Sequence, residues 1–430
     1  MKLVSLFIIF FLTLSKNLKS IEFQALESEK GIKFWLIEDN SLPLISLSFL
    51  FKGGSILDPD GNEGVTNLMT SLLDEGTESF SSSEFKLSMK ENGVKLSFSA
   101  SKEKINGTFQ VVRSQIQEGF WLLQESINKP TFPINEINKV KSQIEASIKI
   151  DESNVSNIAS DKFNEFFFKE KKLKKKIKGN VDSLNKIKRS DIIKIYKKSI
   201  TKNNLVIGIS GQINAEQAKK YVDYVFGSLP VNEKRLSVDN LSELNKGTKI
   251  IKMETPQTTV VFGQKGVSRK NKDYFAARII NYVLGGGGFQ SRLYKEIREK
   301  KGLVYSVYSY LLPFEKTGII LGGFQTRNKT VNETIGKVKD EWKKIKKNGI
   351  SKQELINAKT YFKGSFSRNF TSTLSIANLL MVVQYYDLGE NYFVNRDLMI
   401  DNIKLNHVNK LADELFNSDE LFFMVVGKPE

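Results

Sequence analysis

Two side chains in the second half of the chain can stabilise a developing negative charge. Arg298 and Tyr305 stand seven residues apart. A guanidinium and a phenol can both donate hydrogen bonds to a carbonyl oxygen as charge builds on it. The same spacing suits an arginine that caps its helix and a tyrosine that packs in a strand, so spacing alone leaves both readings open. The remaining chemical inventory is narrow. The chain has no cysteine, which excludes thiolate nucleophiles, cysteine-ligated zinc and a disulfide framework. Its one histidine, His407, reads as a surface or helix-terminal residue rather than a ligand. Gly285 to Gly288 lack the following Gly-Lys-Ser/Thr of a phosphate loop, which argues against nucleotide. A tight helix-to-helix turn using positive φ angles is expected there instead.

The 430 residues carry a formal net charge of +17. Most of the excess is scattered lysine, apart from a run at Lys169, Lys171, Lys172, Lys174, Lys175, Lys176 and Lys178. No aromatic stacking set is interleaved with that run, so nucleic acid is not an expected partner. A solvated helix end or loop is expected, with attraction of an acidic partner or substrate as the functional alternative. Lys2 followed by the apolar stretch 3–14 reads as a signal peptide within residues 1–20. Cleavage is expected near Ser20, retention as an anchor being the alternative. No later segment approaches about 18 uncharged apolar residues, so no transmembrane span is expected in a mature chain that is periplasmic or extracellular.

One order of elements occurs twice. In the first half, Ile45, Leu47, Phe49 and Phe51 alternate with polar residues as in a half-buried strand. Gly53, Gly54, Pro59 and Gly61 then break the chain before helices predicted at about 63–73 and 83–91. Strands follow at 94–100 and 107–112, then several helices to about 199 and a closing strand at 205–210. The second half repeats the order with a strand at 259–262, helices at 274–284 and 290–300, strands at 304–311 and 318–324, and a last strand at 421–426. Phe51 aligns with Phe262 and Gly107 with Gly318 at a constant offset. The expected fold is α+β: two homologous domains, 21–226 and 248–430, each a mostly antiparallel sheet covered by helices, joined by a polar linker at 227–247.

The stretch LGGGGFQSRLYKEIREKKGLVY over 284–305 resembles the C-terminal signature of insulinase-type (inverted zincin) peptidases, the group that includes pitrilysin and the mitochondrial processing peptidase. The family's first domain carries H-x-x-E-H on a helix. There two imidazoles at i and i+4 reach one Zn²⁺, and the glutamate polarises the bound water. The corresponding stretch here is GVTNLMTSLLDEGT over 64–77, with Gly64, Gly76 and Thr77 fixing the register. Asn67 and Ser71 then stand at the histidine positions and Thr70 at the glutamate. Neutral amide and hydroxyl groups are poor zinc ligands, and threonine is no general base near neutral pH. The family's third ligand corresponds to Glu145, with Asp151 six residues beyond it. A single carboxylate without histidines makes a weak, hard-cation site at best, so no metal is expected in this chain.

What the resemblance implies is therefore divided. The metal site is lost, while Arg298 and Tyr305 match the pair with which the family's C-terminal domain contacts substrate. In one branch, zinc-bearing and zinc-less chains pair around a closed chamber where peptide adds to a sheet edge. The implied role is the peptide-binding, non-catalytic subunit of such a heterodimer, with zinc only in the homologous partner. A purely structural scaffold subunit, as in the mitochondrial respiratory cytochrome complex, is the alternative.

Overall fold

A computed structural model describes residues 23–232 and 243–430. The predicted signal peptide and the middle of the predicted linker lie outside those residues. The first half forms a six-stranded sheet in the order β1-β2-β6-β3-β5-β4: β1 Gln24–Glu27, β2 Lys33–Glu38, β3 Leu44–Lys52, β4 Lys95–Ala100, β5 Lys104–Val112 and β6 Leu205–Gly211. The second forms a five-stranded sheet in the order β7-β11-β8-β10-β9: β7 Gly247–Lys252, β8 Gln257–Lys265, β9 Val304–Pro313, β10 Gly318–Arg327 and β11 Phe422–Gly427. Leaving β1 aside, the two sheets are the same sheet. In each, one parallel pair (β2 with β6, β7 with β11) is followed by three antiparallel pairings. The fold is α+β with two homologous domains, as the sequence predicts.

The constant offset between the repeats needs correcting. Phe49 lies opposite Gly107 and Phe262 opposite Gly322. A Cβ on Gly107 would meet the Phe49 ring at 2.2 Å, and one on Gly322 the Phe262 ring at 2.4 Å. Each half thus leaves out a side chain so that a core phenylalanine can lie across the neighbouring strand. Phe49, not Phe51, is the counterpart of Phe262, and Gly322, not Gly318, that of Gly107. The pairing slides by two residues on one strand and by four on the other.

One face of each sheet packs on its own half's helices. Phe49, Phe109, Phe120 and Phe226 fill the first core and Phe262, Trp342 and Phe423 the second, each buried ring contributing roughly 1.5–3 kcal/mol. The Trp342 indole N–H donates to Gln264 Oε1 at 2.7 Å, so burial leaves no orphan donor. The opposite faces are covered by exchange. Helix Val155–Phe167 of the first half lies on β8 and β11, with Phe163 and Phe167 against Phe422. Helix Thr373–Tyr385 of the second half lies on β2, β3 and β6, where Thr373 and Ser46 hydroxyls meet at 2.7 Å and Gln384 Nε2 donates to Ile207 O at 2.7 Å. Neither sheet has both faces covered without the other half. Among the described residues no helix is long and apolar enough to cross a membrane.

Candidate functional site

The helix at the degenerate motif spans only Val65–Thr70, shorter than the predicted 63–73. Thr70 Oγ1 and Ser71 Oγ both donate to the Asn67 carbonyl, at 2.9 and 3.0 Å. This back-bonding satisfies the hydroxyls within the helix and weakens its continuation. Gly64 stands at φ 95°, where a Cβ would meet the Lys178 carbonyl oxygen at 2.4 Å, and Gly76 at φ 129°. The glycines that fix the sequence register are therefore backbone requirements. Asp58 secures the helix start by accepting from Gly64 N at 2.8 Å, Thr66 N at 3.2 Å and Thr66 Oγ1. Burial pushes its carboxyl up to about 6 against those hydrogen bonds.

Zinc does not fit this donor set. Thr70 is buried with its hydroxyl committed to the backbone, and Asn67 offers only a neutral amide. Glu145, on helix Ile134–Ser153, pairs with Lys149 at 2.9 Å. Asp151 accepts from Lys178 at 2.6 Å and from Asn157 at 3.0 Å. Among the described residues no group of three or more His, Cys, Asp or Glu side chains is placed to hold a metal ion. Metal analysis of the purified chain is expected to find far less than one zinc per molecule. One equivalent that survives dialysis would overturn that expectation.

The lysine run is neither a free basic patch nor only solvated. Lys171 and Lys175 pair with Asp60 at 2.5 and 2.9 Å, Lys176 with Asp161 at 2.8 Å, Lys178 with Asp151, and Lys169 with Glu243. The run ties the loop before Gly179 to the start of the motif helix. A Cβ on Gly179 would meet the Glu63 carbonyl oxygen at 2.0 Å. His407 Nε2 donates to the Asp273 carboxylate at 2.8 Å on a partly exposed surface.

Arg298 and Tyr305 do come together. The predicted helix 290–300 is wound instead as a short 3-10 turn at Gly288–Gln290 and a wide π turn at Tyr294–Glu299, a winding common at functional sites. Arg298 Nε donates to the Tyr305 carbonyl at 3.1 Å, and its guanidinium lies 4.9 Å from the Tyr294 ring and 5.8 Å from the Tyr305 ring. The other guanidinium nitrogens remain open, and among the described residues no carboxylate pairs with Arg298. Tyr305 is 86 % exposed, between buried Val304 and Val307. It is the second residue of β9, which among the described residues has a neighbouring strand on one side only. Beyond it Tyr308, Tyr310 and Leu312 are exposed at alternate positions, and Phe289, 70 % exposed, packs on Tyr294. Sequence reading missed these aromatics, although their every-second-residue spacing in a predicted strand was the available signal.

The glycine run works differently from its expected role. Only Gly288 has positive φ. Gly285 is there for close approach, since a Cβ would meet Ser309 Oγ at 2.3 Å and Ser309 N at 2.7 Å. Asn281 donates to the Ser309 carbonyl at 3.1 Å and accepts from its hydroxyl at 2.8 Å. The run thus locks β9 against the helix Tyr274–Asn281 and sets the position of Tyr305.

Comparison with known proteins gives matches over most of the chain. The profile described as insulinase (peptidase family M16) matches residues 34–180, and that described as peptidase M16 inactive domain matches 186–362. A Helicobacter pylori protein named non-peptidase homolog YmxG is 27 % identical over 395 residues, covering 91 % of this chain and 90 % of that one. The mitochondrial-processing peptidase subunit beta of Saccharomyces cerevisiae is 22 % identical over 340 residues, covering 75 % and 73 %. The crystal structure of a peptidase M16 inactive domain from Pseudomonas fluorescens superposes with a TM-score of 0.90 at 25 % identity, covering 95 % of this chain and 98 % of that one.

Proposed function

The chain belongs to the insulinase (M16) peptidase family, and from that premise we propose that this zinc-less member is the peptide-holding, non-catalytic subunit of a two-chain zinc peptidase. Its partner is a homologue that carries H-x-x-E-H, and the pair works outside the cytoplasm. One observation carries the reading. Arg298 is anchored through Nε on the Tyr305 backbone, which leaves its remaining N–H groups open beside a phenol that is 86 % exposed. A guanidinium edge and a tyrosine hydroxyl held side by side in solvent remain free to donate to a ligand. Together they present donors suited to a peptide carbonyl. The exposed Tyr308, Tyr310 and Leu312 continue along the same strand, offering apolar contact to an extended chain.

The test is co-expression with an H-x-x-E-H homologue and assay of peptide cleavage by the purified pair. Neither chain alone should cleave. Arg298→Ala and Tyr305→Phe should each lower kcat/KM of the pair about 100- to 1000-fold, the range for losing a donor to a reacting carbonyl, without dissolving the heterodimer. Full activity in both variants would establish a scaffold role instead.

A further inference from the structure

Arginine is scarce here, supplying ten of the 65 basic side chains. Three of the ten, Arg269, Arg278 and Arg396, converge outside the Arg298–Tyr305 site, among the helices Tyr274–Asn281, Lys352–Gly364 and Tyr392–Asp401. The Arg269 guanidinium lies 4.1 Å from the Tyr274 ring and donates to the Tyr392 hydroxyl at 2.8 Å. Arg278 lies 5.8 Å from the same Tyr274 ring and 4.5 Å from that of Phe362. Arg396 is 4 % exposed, donates to the Phe362 carbonyl at 2.7 Å and pairs with Asp397 at 2.6 Å. The three are thus linked through shared aromatic residues.

Their charges do not balance. Asp397 is the one carboxylate among the described residues that pairs with any of the three. Of the other acids on these elements, Asp387 pairs with Lys270 and Asp401 with Lys363, while Asp273 accepts a hydrogen bond from the His407 ring and pairs with none of the three arginines. Two positive charges stay unmatched. Arg278 is the extreme case, because it makes no hydrogen bond or ion pair with any described residue. Burial, then the neighbouring Arg269 and Arg396, push its pKa down, with Tyr274 and Tyr392 opposing. Contact with the Phe362 ring offsets part of that cost, but a ring face uses none of the five N–H donors. A half-buried guanidinium with no counter-ion keeps its donors available to an anion that supplies the missing charge.

We infer that the cluster is a binding site for a doubly charged oxyanion, a phosphate or phosphate monoester, with Arg278 as its principal ligand and Arg269 and Arg396 flanking it. A dianion cancels the two unmatched charges, whereas a single carboxylate leaves one. Guanidinium forks also suit phosphate oxygens in a way that lysine does not.

Thermal unfolding of the full chain in inorganic phosphate, against acetate at equal ionic strength, tests this. Phosphate at about a hundred times its Kd should raise Tm by roughly 3–6 °C, and acetate should not. Arg278→Met should match or exceed the wild-type Tm in phosphate-free buffer, because it removes an unmatched charge, and should lose the phosphate response. A structural arginine held only by ring contacts predicts the reverse: a lower Tm for the variant and no phosphate response in the wild type. Should Arg278→Met fail to fold, Arg269→Lys keeps the charge and loses the fork, and should weaken phosphate binding about tenfold by calorimetry; unchanged affinity would overturn the site. Titration with glycerol phosphate separates sources, since tighter binding than inorganic phosphate assigns the site to a monoester and weaker binding to the free ion.

Discussion

Gly208→Ala is expected to unfold the protein or to lower its stability by about 3 kcal/mol or more. The added methyl would sit 2.1 Å from the Ala377 carbonyl oxygen, 2.7 Å from Met381 N and 2.9 Å from Leu380 Cβ. Two of those three atoms are backbone, so no rotamer change relieves the clash. Gly208 lies on β6, between β2 and β3, and the atoms it meets belong to the exchanged helix Thr373–Tyr385. Relief therefore requires lifting that helix from the first sheet. Doing so would also break the Gln384–Ile207 and Thr373–Ser46 hydrogen bonds. The same substitution at Gly336 is the control. Gly336 lies inside helix Val331–Asn348 with nothing within 4 Å of a new Cβ, so Gly336→Ala should add about 0.5–1 kcal/mol. Urea midpoints of the two variants should move in opposite directions. A Gly208→Ala midpoint within error of wild type would show that the exchanged helix is loosely seated.

The reach of the sequence follows from what each pattern encodes. Alternation at residues 45–51 fixes which side chains of β3 face a core, but strand periodicity is two, so a slide of two or four residues preserves every facing. That is why Phe51 passes for Phe49, and Gly318 for Gly322, when the repeats are aligned by pattern alone. Gly64 and Gly76 are usable markers for the register of the degenerate motif because their backbone conformations tolerate little else. The exchanged helices are another matter. An apolar face on 155–167 states that something is buried, not that the partner is a strand of the other half. The cluster at Arg269, Arg278 and Arg396 is illegible for the same reason, since its members meet only after three helices pack. Arg298 and Tyr305 were legible as a pair through the 284–305 signature, but the Nε anchor depends on a π turn that no side-chain periodicity announces.

Stability should fall as pH rises from about 4.5 to about 7, and Glu103→Gln should remove most of that dependence. Glu103 occupies the turn between β4 and β5 and is 6 % exposed. It accepts from the backbone N–H of Glu315, in the matching turn between β9 and β10 of the other half, at 3.1 Å. Lys52 pairs with Glu315 at 2.7 Å, and the Lys104 ammonium lies 4.5 Å from the Tyr385 ring and 5.5 Å from that of Tyr386. Burial pushes the Glu103 carboxyl up to about 7; the Glu315 N–H opposes the rise, the Glu315 charge adds to it, and Lys104 and Lys52 oppose it. In the unfolded chain the group titrates near 4.5. Between those values the folded protein keeps a proton that the unfolded chain has released. Its contribution is therefore greatest below 4.5 and is lost by the time pH passes 7. At 1.36 kcal/mol per pH unit the gap corresponds to about 3 kcal/mol. Asp58 acts in the same direction over a lower window, from 3.8 to about 6. Glutamine keeps an oxygen for the Glu315 N–H but cannot ionise. The variant should thus be flat between pH 6 and 7.5 while retaining the Asp58 slope below 6. Urea midpoints at half-unit intervals from pH 4.5 to 8 would resolve the two windows. Parallel wild-type and variant curves above pH 6 would mean that the junction between the two equivalent turns hydrates when Glu103 ionises, and that the halves are held by the exchanged helices alone.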